Sequence, residues 1–271
     1  MMRLLRDLFV FFQRDLRIAS TYRSPFLFET IEALFGAATF YYVARFVDSP
    51  ALREALPRGK TYFAYSLVGL VFFDYLHAAM DTFDRSLQEA RDTGTLESLL
   101  VTQVSLPLIL IGSAFYPFVA STLRIVVYLG WATAFFDFPL RGGNWLGVLA
   151  VLLATLLAFC GFGVLSAAYL LLFKRGNPVK WFILGVSSIV GGMLFPVDVL
   201  PPWLQVIAYL NPVTYALDAM RAVLLDGAGI ASVLRSLLIL LAFAGVLLPS
   251  SMLVFSWVLR RTKATGTLTH S

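Results

Sequence analysis

The sequence predicts an all-α integral membrane protein with six transmembrane helices. Hydrophobic residues make up 59% of its 271 residues and charged residues only 14%, whereas a soluble domain is about one quarter charged. The apolar residues are gathered into six long runs, most of which reach the ~20 residues that a helix needs to cross a bilayer. Lys and Arg residues concentrate on one side of these runs, as they do in cytoplasmic loops.

The six predicted spans cover roughly residues 26–46, 61–82, 106–136, 145–173, 181–197 and 234–259. The fifth is short, because Pro196 ends it after about 17 residues. Of the 21 Lys and Arg residues, thirteen lie before span 1, between spans 2 and 3, between spans 4 and 5, and after span 6; seven lie on the other side. The positive-inside rule therefore places both termini in the cytoplasm.

The first 25 residues predict an amphipathic helix in the cytoplasmic interface of the membrane. On a helical wheel of residues 3–19, leucine and phenylalanine side chains occupy one half and arginines the other. Such a helix rests its apolar face on the headgroup boundary. It is either a simple lipid anchor or a helix that also braces a cytoplasmic partner. The arginines of its polar face are Arg3, Arg6, Arg14 and Arg17.

The connection between spans 2 and 3 keeps charged residues between two very apolar runs. Gly94 divides it into two short helical pieces, and Thr95 is a candidate cap for the second. A short helix held between two spans is tied to both, so a partner that presses on it can move them. We call residues 84–100 the coupling segment; the alternative is an ordinary solvated loop. Its candidate contact residues are Glu89, Arg91, Asp92, Gly94, Thr95, Leu96, Glu97 and Leu100.

Closely spaced prolines follow span 5 and prevent one continuous helix there. Between them lie two helix-length amphipathic pieces, at 203–210 and 213–225, with a turn at Asn211. Non-helical backbone at membrane depth is tolerated only where protein or a watery cavity covers it. We call residues 198–225 the outer segment; a surface loop resting on the bilayer is the alternative. The residues that shape it are Pro201, Pro202, Trp203, Asn211, Pro212 and Tyr215.

Four ionisable side chains fall within the predicted spans. Asp74, His77 and Asp81 lie at i, i+3 and i+7 in span 2, near one helix face, and Arg124 lies in span 3. A charge at the bilayer centre costs at least ~2.5–3.5 kcal/mol on insertion scales, so these residues should face protein or water. We expect Asp74 to pair with Arg124 and no metal to bind. A metal site or proton relay on Asp74, His77 and Asp81 is the alternative.

Three stretches resemble one family. ARDTGTLESLLVTQVS, residues 90–105, is similar to the segment between spans 2 and 3 of ABC-2-type exporter permeases, although Gln103 stands where proline is usual. LFPVDVLPPWLQVIAYLNPVTYALDAMRAVLL, residues 194–225, resembles the succession that follows span 5 in that family. FFQRDLRIASTYRS, residues 11–24, is a weaker match. With six spans, the resemblance covers the whole chain.

The resemblance implies the membrane permease subunit of an ATP-driven exporter. Residues 1–25 would be the interfacial helix, 26–263 the six-span domain and 264–271 a cytoplasmic tail. In the family, the coupling and interfacial helices bind a separate ATPase subunit, and the outer segment forms two re-entrant helices that close the exit. A second permease copy, identical or related, would complete the pathway. The implied location is the cytoplasmic (inner) membrane of a prokaryote.

ATP and Mg would then be bound by the partner, so the permease itself would not be an enzyme and would carry no cofactor. The nearest likeness to a phosphate-binding loop, at Gly59 and Lys60, has Glu54 where the first glycine should stand. The net charge of +5 follows the topology and does not indicate a nucleic-acid groove. The only cysteine, Cys160, lies in an apolar run, so an internal disulfide is excluded.

An amphiphilic substrate, such as a lipid, a glycolipid or a hydrophobic drug, suits so apolar a chain best. Export of a polysaccharide by the same family is the alternative. A different class of protein, a proton-coupled carrier or a membrane enzyme, would be built on Asp74, His77 and Asp81. Only two histidines occur, and neither a His-Glu-x-x-His nor a Gly-x-Ser-x-Gly motif is present, which disfavours that class.

Overall fold

The computed structural model describes residues 23–47, 56, 61–92, 106–140, 144–173 and 176–264. This part of the chain is built from helices without a strand, which confirms the all-α prediction. Its helices are α1 (Arg23–Val47), α2 (Tyr62–Asp92), α3 (Leu106–Phe135), α4 (Trp145–Phe173), α5 (Pro178–Val190), a 3₁₀ turn (Val197–Val199), α6 (Pro202–Tyr209), α7 (Pro212–Leu225) and α8 (Ile230–Ala264).

Four of these helices are long and apolar enough to cross a membrane. They contain the stretches Tyr62–Arg85, Pro117–Phe135, Trp145–Phe173 and Ile230–Thr262. Helix α5 is apolar but shorter, and α1 is not among the four. The chain is therefore a multi-pass membrane protein, and four of the six predicted spans meet these criteria.

Helix α4 lies at the centre of the bundle. It packs along α8 on one side and α2 on the other, and α7 contacts α8, α4 and α2. Helix α3 packs on α2, and α1 covers α3 and the adjoining part of α2. The core between them is formed by large side chains, among them Phe72, Leu76, Met80, Phe83 and Phe159. Many other large apolar side chains are exposed on the outside of the bundle, where hydrocarbon would contact them.

Helix α2 does not stop at the end of predicted span 2. It continues unbroken to Asp92, so the first half of the coupling segment is a direct extension of the span. Its 31 residues correspond to about 46 Å, well beyond the ~30 Å of a hydrocarbon core. The predicted break at Gly94 lies outside the described residues. So do residues 1–22 of the predicted interfacial helix and the tail after Ala264.

Close packing of α4 on α2 depends on Gly163. A Cβ atom at this position would lie 2.3 Å from Phe83 Cδ2 and 2.7 Å from the carbonyl oxygen of Ala79. Both distances are far shorter than a van der Waals contact, so the two helices could not approach as they do with a larger residue. Small residues at such contacts drive helix association in membranes, where apolar burial contributes little.

We predict that Gly163→Ala lowers the thermal unfolding midpoint of the purified protein in detergent, because overpacking of a core costs about 1–3 kcal/mol. Gly245→Ala in α8 is the matched control, since no heavy atom lies within 4 Å of the added Cβ there. Alanine is the better helix former by up to ~1 kcal/mol, so the control should be unchanged or slightly stabilised. Tryptophan fluorescence would report both midpoints. Equal midpoints for the two variants would contradict this packing.

Candidate functional site

A polar cluster joins α2, α4 and the start of α5. The carboxylate of Asp84 accepts hydrogen bonds from Ser166 Oγ at 2.9 and 3.1 Å and from Asn177 Nδ2 at 2.8 Å. Asn177 Nδ2 also donates to Ser166 Oγ at 2.6 Å. Asp84 and Ser166 are buried, and each donor offsets part of the cost of removing a carboxylate from water.

Local sequence explains why Asn177 reaches this cluster. It is the N-cap of α5, and its Oδ1 accepts a hydrogen bond from Lys180 N at 3.0 Å, while Pro178 occupies the first helical position. Capping orients the amide so that Nδ2 points away from its own helix, toward Asp84. One asparagine therefore starts α5 and attaches it to α2.

Asp81 lies one helical turn from Asp84 and binds the same helix start. Its carboxylate forms a salt bridge with Lys180 Nζ. His77 Nδ1 and Arg85 Nη2 each lie 3.7 Å from Asp81 Oδ2. We call the group defined by Asp81, Asp84, Ser166, Asn177 and Lys180 the inner polar cluster. It holds α2 to the start of α5 at the beginning of the coupling segment.

The coupling residues themselves are only partly described. Glu89, Arg91 and Asp92 lie in the last turns of α2, and the structure describes their backbone only. Gly94, Thr95, Leu96, Glu97 and Leu100 lie outside the described residues, as do Arg3, Arg6, Arg14 and Arg17 of the N-terminal helix. The roles assigned to them remain predictions.

The outer segment contains two short helices close to the predicted bounds. Pro202 and Pro212 occupy the first positions of α6 and α7, where a proline costs no hydrogen bond. Pro201 is the N-cap residue of α6, without a side-chain bond. Asn211 is the N-cap of α7: its Oδ1 accepts from Val213 N at 3.1 Å.

Asn211 also ties the outer segment to α5. Its Nδ2 donates to Ser187 Oγ at 3.0 Å, and both residues are buried. The Tyr215 hydroxyl donates to the carbonyl of Tyr209 at 3.0 Å, which fixes the angle between α6 and α7. Trp203 is exposed on α6. The two helices differ in environment: α7 is largely buried, while α6 presents an exposed apolar face that also includes Val206 and Leu210.

A buried arginine connects the outer segment with α2 and with the end of α5. Arg221 is only 2% exposed. Its Nη1 donates to the carbonyl of Gly192 at 2.8 Å, and its Nη2 donates to the carbonyls of Met193 at 2.9 Å and Tyr65 at 3.0 Å. The guanidinium of arginine stays protonated in proteins, so Arg221 is a buried charge that these carbonyls stabilise.

Tyr65 completes this group, which we call the outer arginine site. Its ring lies against the guanidinium, with Arg221 Cζ 3.4 Å from the ring centroid, a cation–π distance. Its hydroxyl donates to the carbonyl of Gly192 at 3.0 Å. The backbone of α2 at Gly69 lies close to the backbone of Met193. A Cβ atom at Gly69 would be only 2.1 Å from the carbonyl oxygen of Met193. Three carbonyls and one aromatic ring, from α2 and the segment after α5, thus converge on one charge carried by α7.

The predicted intramembrane charges separate into two groups. Asp74 and Arg124 line one small cavity together with Ser121 and Tyr128, so the structure brings the expected pair close. Asp81 instead belongs to the inner polar cluster. His77 lies beside Asp81 and against the ring of Phe73. In the described part of the chain, no three His, Cys, Asp or Glu side chains are grouped in a way that could hold a metal ion.

Sequence reasoning missed the two strongest polar groups. Arg221 was counted only as one positive charge on the outer side, although a lone arginine among Leu, Val and Ala in a 14-residue apolar helix is a signal of burial. Ser166 gave no signal, because a single serine in a long apolar helix is common. Asn177 was recognisable as a cap before Pro178, but nothing in the sequence indicated its second partner.

Comparison with known proteins agrees with this architecture. A sequence model of the family described as ABC-2 type transporter matches residues 8–225. The inner membrane transport permease YadH of Escherichia coli K12 is 25% identical over 166 residues, which cover 60% of this chain and 63% of YadH. The match therefore spans less than two thirds of the length of that relative.

Two further relatives are named as permeases. The probable multidrug ABC transporter permease YbhR of Escherichia coli K12 is 24% identical over 152 residues, 56% of this chain and 41% of YbhR. The linearmycin resistance permease protein LnrN of Bacillus subtilis 168 is 27% identical over 161 residues, 59% of this chain and 41% of LnrN.

The family match includes the coupling segment, the inner polar cluster and the whole outer segment. The multi-pass helical fold and the permease relatives agree with it. This chain belongs to the ABC-2 type transporter family of membrane permeases.

Proposed function

We propose that the chain is the permease subunit of an exporter that moves an amphiphilic compound, a lipid, a glycolipid or a hydrophobic drug, outward across the inner membrane. The energy comes from a separate ATPase subunit, which binds ATP and Mg. Two relatives with names that refer to multidrug transport and linearmycin resistance support a hydrophobic cargo over a polysaccharide.

One observation carries this proposal: α2 is continuous from the outer arginine site through the first half of the coupling segment, as far as Asp92. The helix is attached to other elements near both of its ends, through Tyr65 and through Asp84. A push on residues 84–100 is therefore delivered to a rigid rod whose far end contacts the outer segment. This is what an ATPase beneath the membrane needs to act on an exit above it.

The same contacts support a fifth membrane crossing by α5. Asp84 and Tyr65 are 19 residues apart on α2, which corresponds to about 28 Å, close to the thickness of the hydrocarbon core. Asn177, at the start of α5, is hydrogen-bonded to Asp84, and Gly192, beyond the end of α5, is hydrogen-bonded to Tyr65. Helix α5 itself rises about 20 Å between these two contacts. With α1 as the first span, the count is six and both termini are cytoplasmic.

The partners follow from this topology. Residues 84–100 and the interfacial helix of residues 1–25 contact the ATPase on the cytoplasmic side. A second permease copy, identical or related, faces this one across the substrate pathway. Exposed aromatic side chains on α1 and α5, such as Phe35, Phe46 and Trp181, are available for that contact or for lipid. The two copies rock between inward-open and outward-open states.

The outer segment acts as the exit gate, formed by two re-entrant helices. Support comes from the contrast between its halves: α7 is embedded in the bundle, while the exposed face of α6 carries Trp203, Val206 and Leu210 at helical spacing. A substrate that leaves between two such faces must separate them. A carrier or enzyme built on Asp74, His77 and Asp81 is disfavoured, since Lys180 engages Asp81.

The proposed function is tested by copurification of the permease with an ATPase subunit encoded beside it, followed by reconstitution in lipid vesicles. We expect stable association and ATP hydrolysis that rises on addition of phospholipid analogues or hydrophobic drugs. Polysaccharide fragments should leave the rate unchanged. Stimulation by polysaccharide alone would transfer the assignment to the alternative substrate, and failure to bind an ATPase would refute it.

The inner polar cluster predicts a specific uncoupled variant, Asn177→Ser. Serine is as good an N-cap as asparagine but is too short to bridge to Asp84, so α5 should still form while its link to α2 is lost. We expect ATP hydrolysis by the complex to persist while transport falls by roughly tenfold, the factor equivalent to the loss of one charge-assisted hydrogen bond.

The matched control for that variant is Asn144→Ser. Asn144 begins α4, and its Oδ1 accepts a hydrogen bond from Gly147 N at 3.2 Å, so it has the same capping role. Transport by this control should equal that of the unmodified complex. A parallel loss of transport in both variants would assign the effect to helix capping and refute the link.

The gate assignment predicts that the environment of Leu210 changes during the cycle. In a Cys160→Ser background, Leu210→Cys is 70% exposed at the end of α6, and Leu146→Cys is an equally exposed control at the start of α4. We expect outer-side thiol reagents to label Leu210→Cys at different rates with and without ATP plus vanadate, while Leu146→Cys keeps one rate. Identical rates at Leu210→Cys in both states would show that the gate does not move. Ala216 is fully buried and unsuitable for labelling.

A further inference from the structure

The guanidinium of Arg221 occupies a place where backbone carbonyls need a donor. Helix α5 ends at Val190, and the next residues are not helical, so the carbonyls of Gly192 and Met193 have no helical partner. A carbonyl buried away from water costs free energy unless a donor satisfies it. Arg221 supplies donors to both, at 2.8 and 2.9 Å.

Only arginine has the geometry for this contact. The fork presents donors in one plane, and here they reach carbonyls of two separate elements, α2 at Tyr65 and the unwound end of α5 at Gly192 and Met193. The flat face of the same group stacks on the Tyr65 ring. A lysine ammonium keeps the charge, but as a point donor it cannot span both elements and stack at once.

The bonds at Arg221 attach α7 to α2. Gly69 permits the unwound backbone to lie directly against α2, and the Tyr65 hydroxyl adds a second bond to Gly192. At the other end of α5, Asn177 and Lys180 hold the helix start to α2. The segment from Asn177 to Met193 is thus attached to α2 at both levels, and α7 joins it at the outer level.

We propose that Arg221 is a positioning residue that unites α7, the unwound end of α5 and the outer half of α2 into one rigid unit. The outer segment then moves with spans 2 and 5 and does not swing as a separate lid. This inference rests on the proposed exporter function, because the motion that it describes is driven by the coupling segment. Arg221 then transfers the motion of α2 to the outer segment.

The test measures distances by paired spin labels in the permease with its ATPase partner, in a Cys160→Ser background. One pair, Thr61→Cys with Leu210→Cys, lies within the proposed unit, at the start of α2 and between α6 and α7. The other pair, Leu146→Cys with Leu210→Cys, joins the unit to α4. We expect the first distance to stay single and unshifted between the nucleotide-free and vanadate-trapped states, while the second distance shifts.

Arg221→Gln should abolish the single narrow distance of the first pair, even in the permease alone. Arg221→Lys should fold in higher yield than Arg221→Gln. The distance of its first pair should still lose its narrow width, because one ammonium cannot bridge the carbonyls of both elements. Arg235→Gln is the matched control, since it removes an exposed arginine at the outer end of α8. In this control the distance of the first pair should equal that in the protein with Arg235. If Arg221→Gln does not fold, Arg221→Lys gives the same comparison.

Two results would overturn the inference. One is a narrow, unchanged first distance in folded Arg221→Gln or, where that variant does not fold, in Arg221→Lys. The other is a first distance that shifts between nucleotide states as far as the second. Failure of the exporter function is a separate outcome: the ATPase would not bind, yet the loss of the narrow distance in Arg221→Gln would still be seen in the permease alone.

Discussion

Backbone that leaves a helix inside an apolar environment must find hydrogen-bond donors within the protein, and much of this structure follows from that need. Helix α5 is only 13 residues long, too short to cross the hydrocarbon core by itself. The chain beyond it is unwound, and its carbonyls become acceptors that water cannot serve. A guanidinium carried by α7 satisfies them. The position of α7, and with it the whole outer segment, is a consequence of how the fifth helix ends.

The existence of the helices was readable from the sequence, but their partners were not. Proline and asparagine positions located α6 and α7 closely, because capping is a local interaction. The predicted fifth span, 181–197, was less accurate, because α5 begins at Pro178 and ends at Val190, well before Pro196. Interhelical contacts depend on which face of a helix points inward, and α4 is apolar all round, so its sequence contains no such information. The proximity of Asp84, Ser166 and Asn177 therefore could not be predicted. The expected closeness of Asp74 and Arg124 was predictable, since an isolated charge in a membrane requires a neighbour.

Two hydrogen-bonded polar groups hold α2 near its ends. The inner polar cluster and the outer arginine site both use hydrogen bonds to a charged group, which are stronger than bonds between neutral groups and hold their geometry. Between them α2 carries Asp74, which lines a small cavity with Arg124, while its other contacts are mainly apolar side chains and small residues such as Ala79 and Gly163. Directional bonds at the ends and close packing between them are what a helix needs to be displaced as a whole without bending.

The length of α2 also determines how far from the bilayer a cytoplasmic subunit can touch this protein. Asp92 lies eight residues beyond Asp84, which corresponds to about 12 Å of additional helix on the cytoplasmic side. In the proposed exporter, an ATPase subunit that grips this helical extension stands off from the inner polar cluster by a comparable distance.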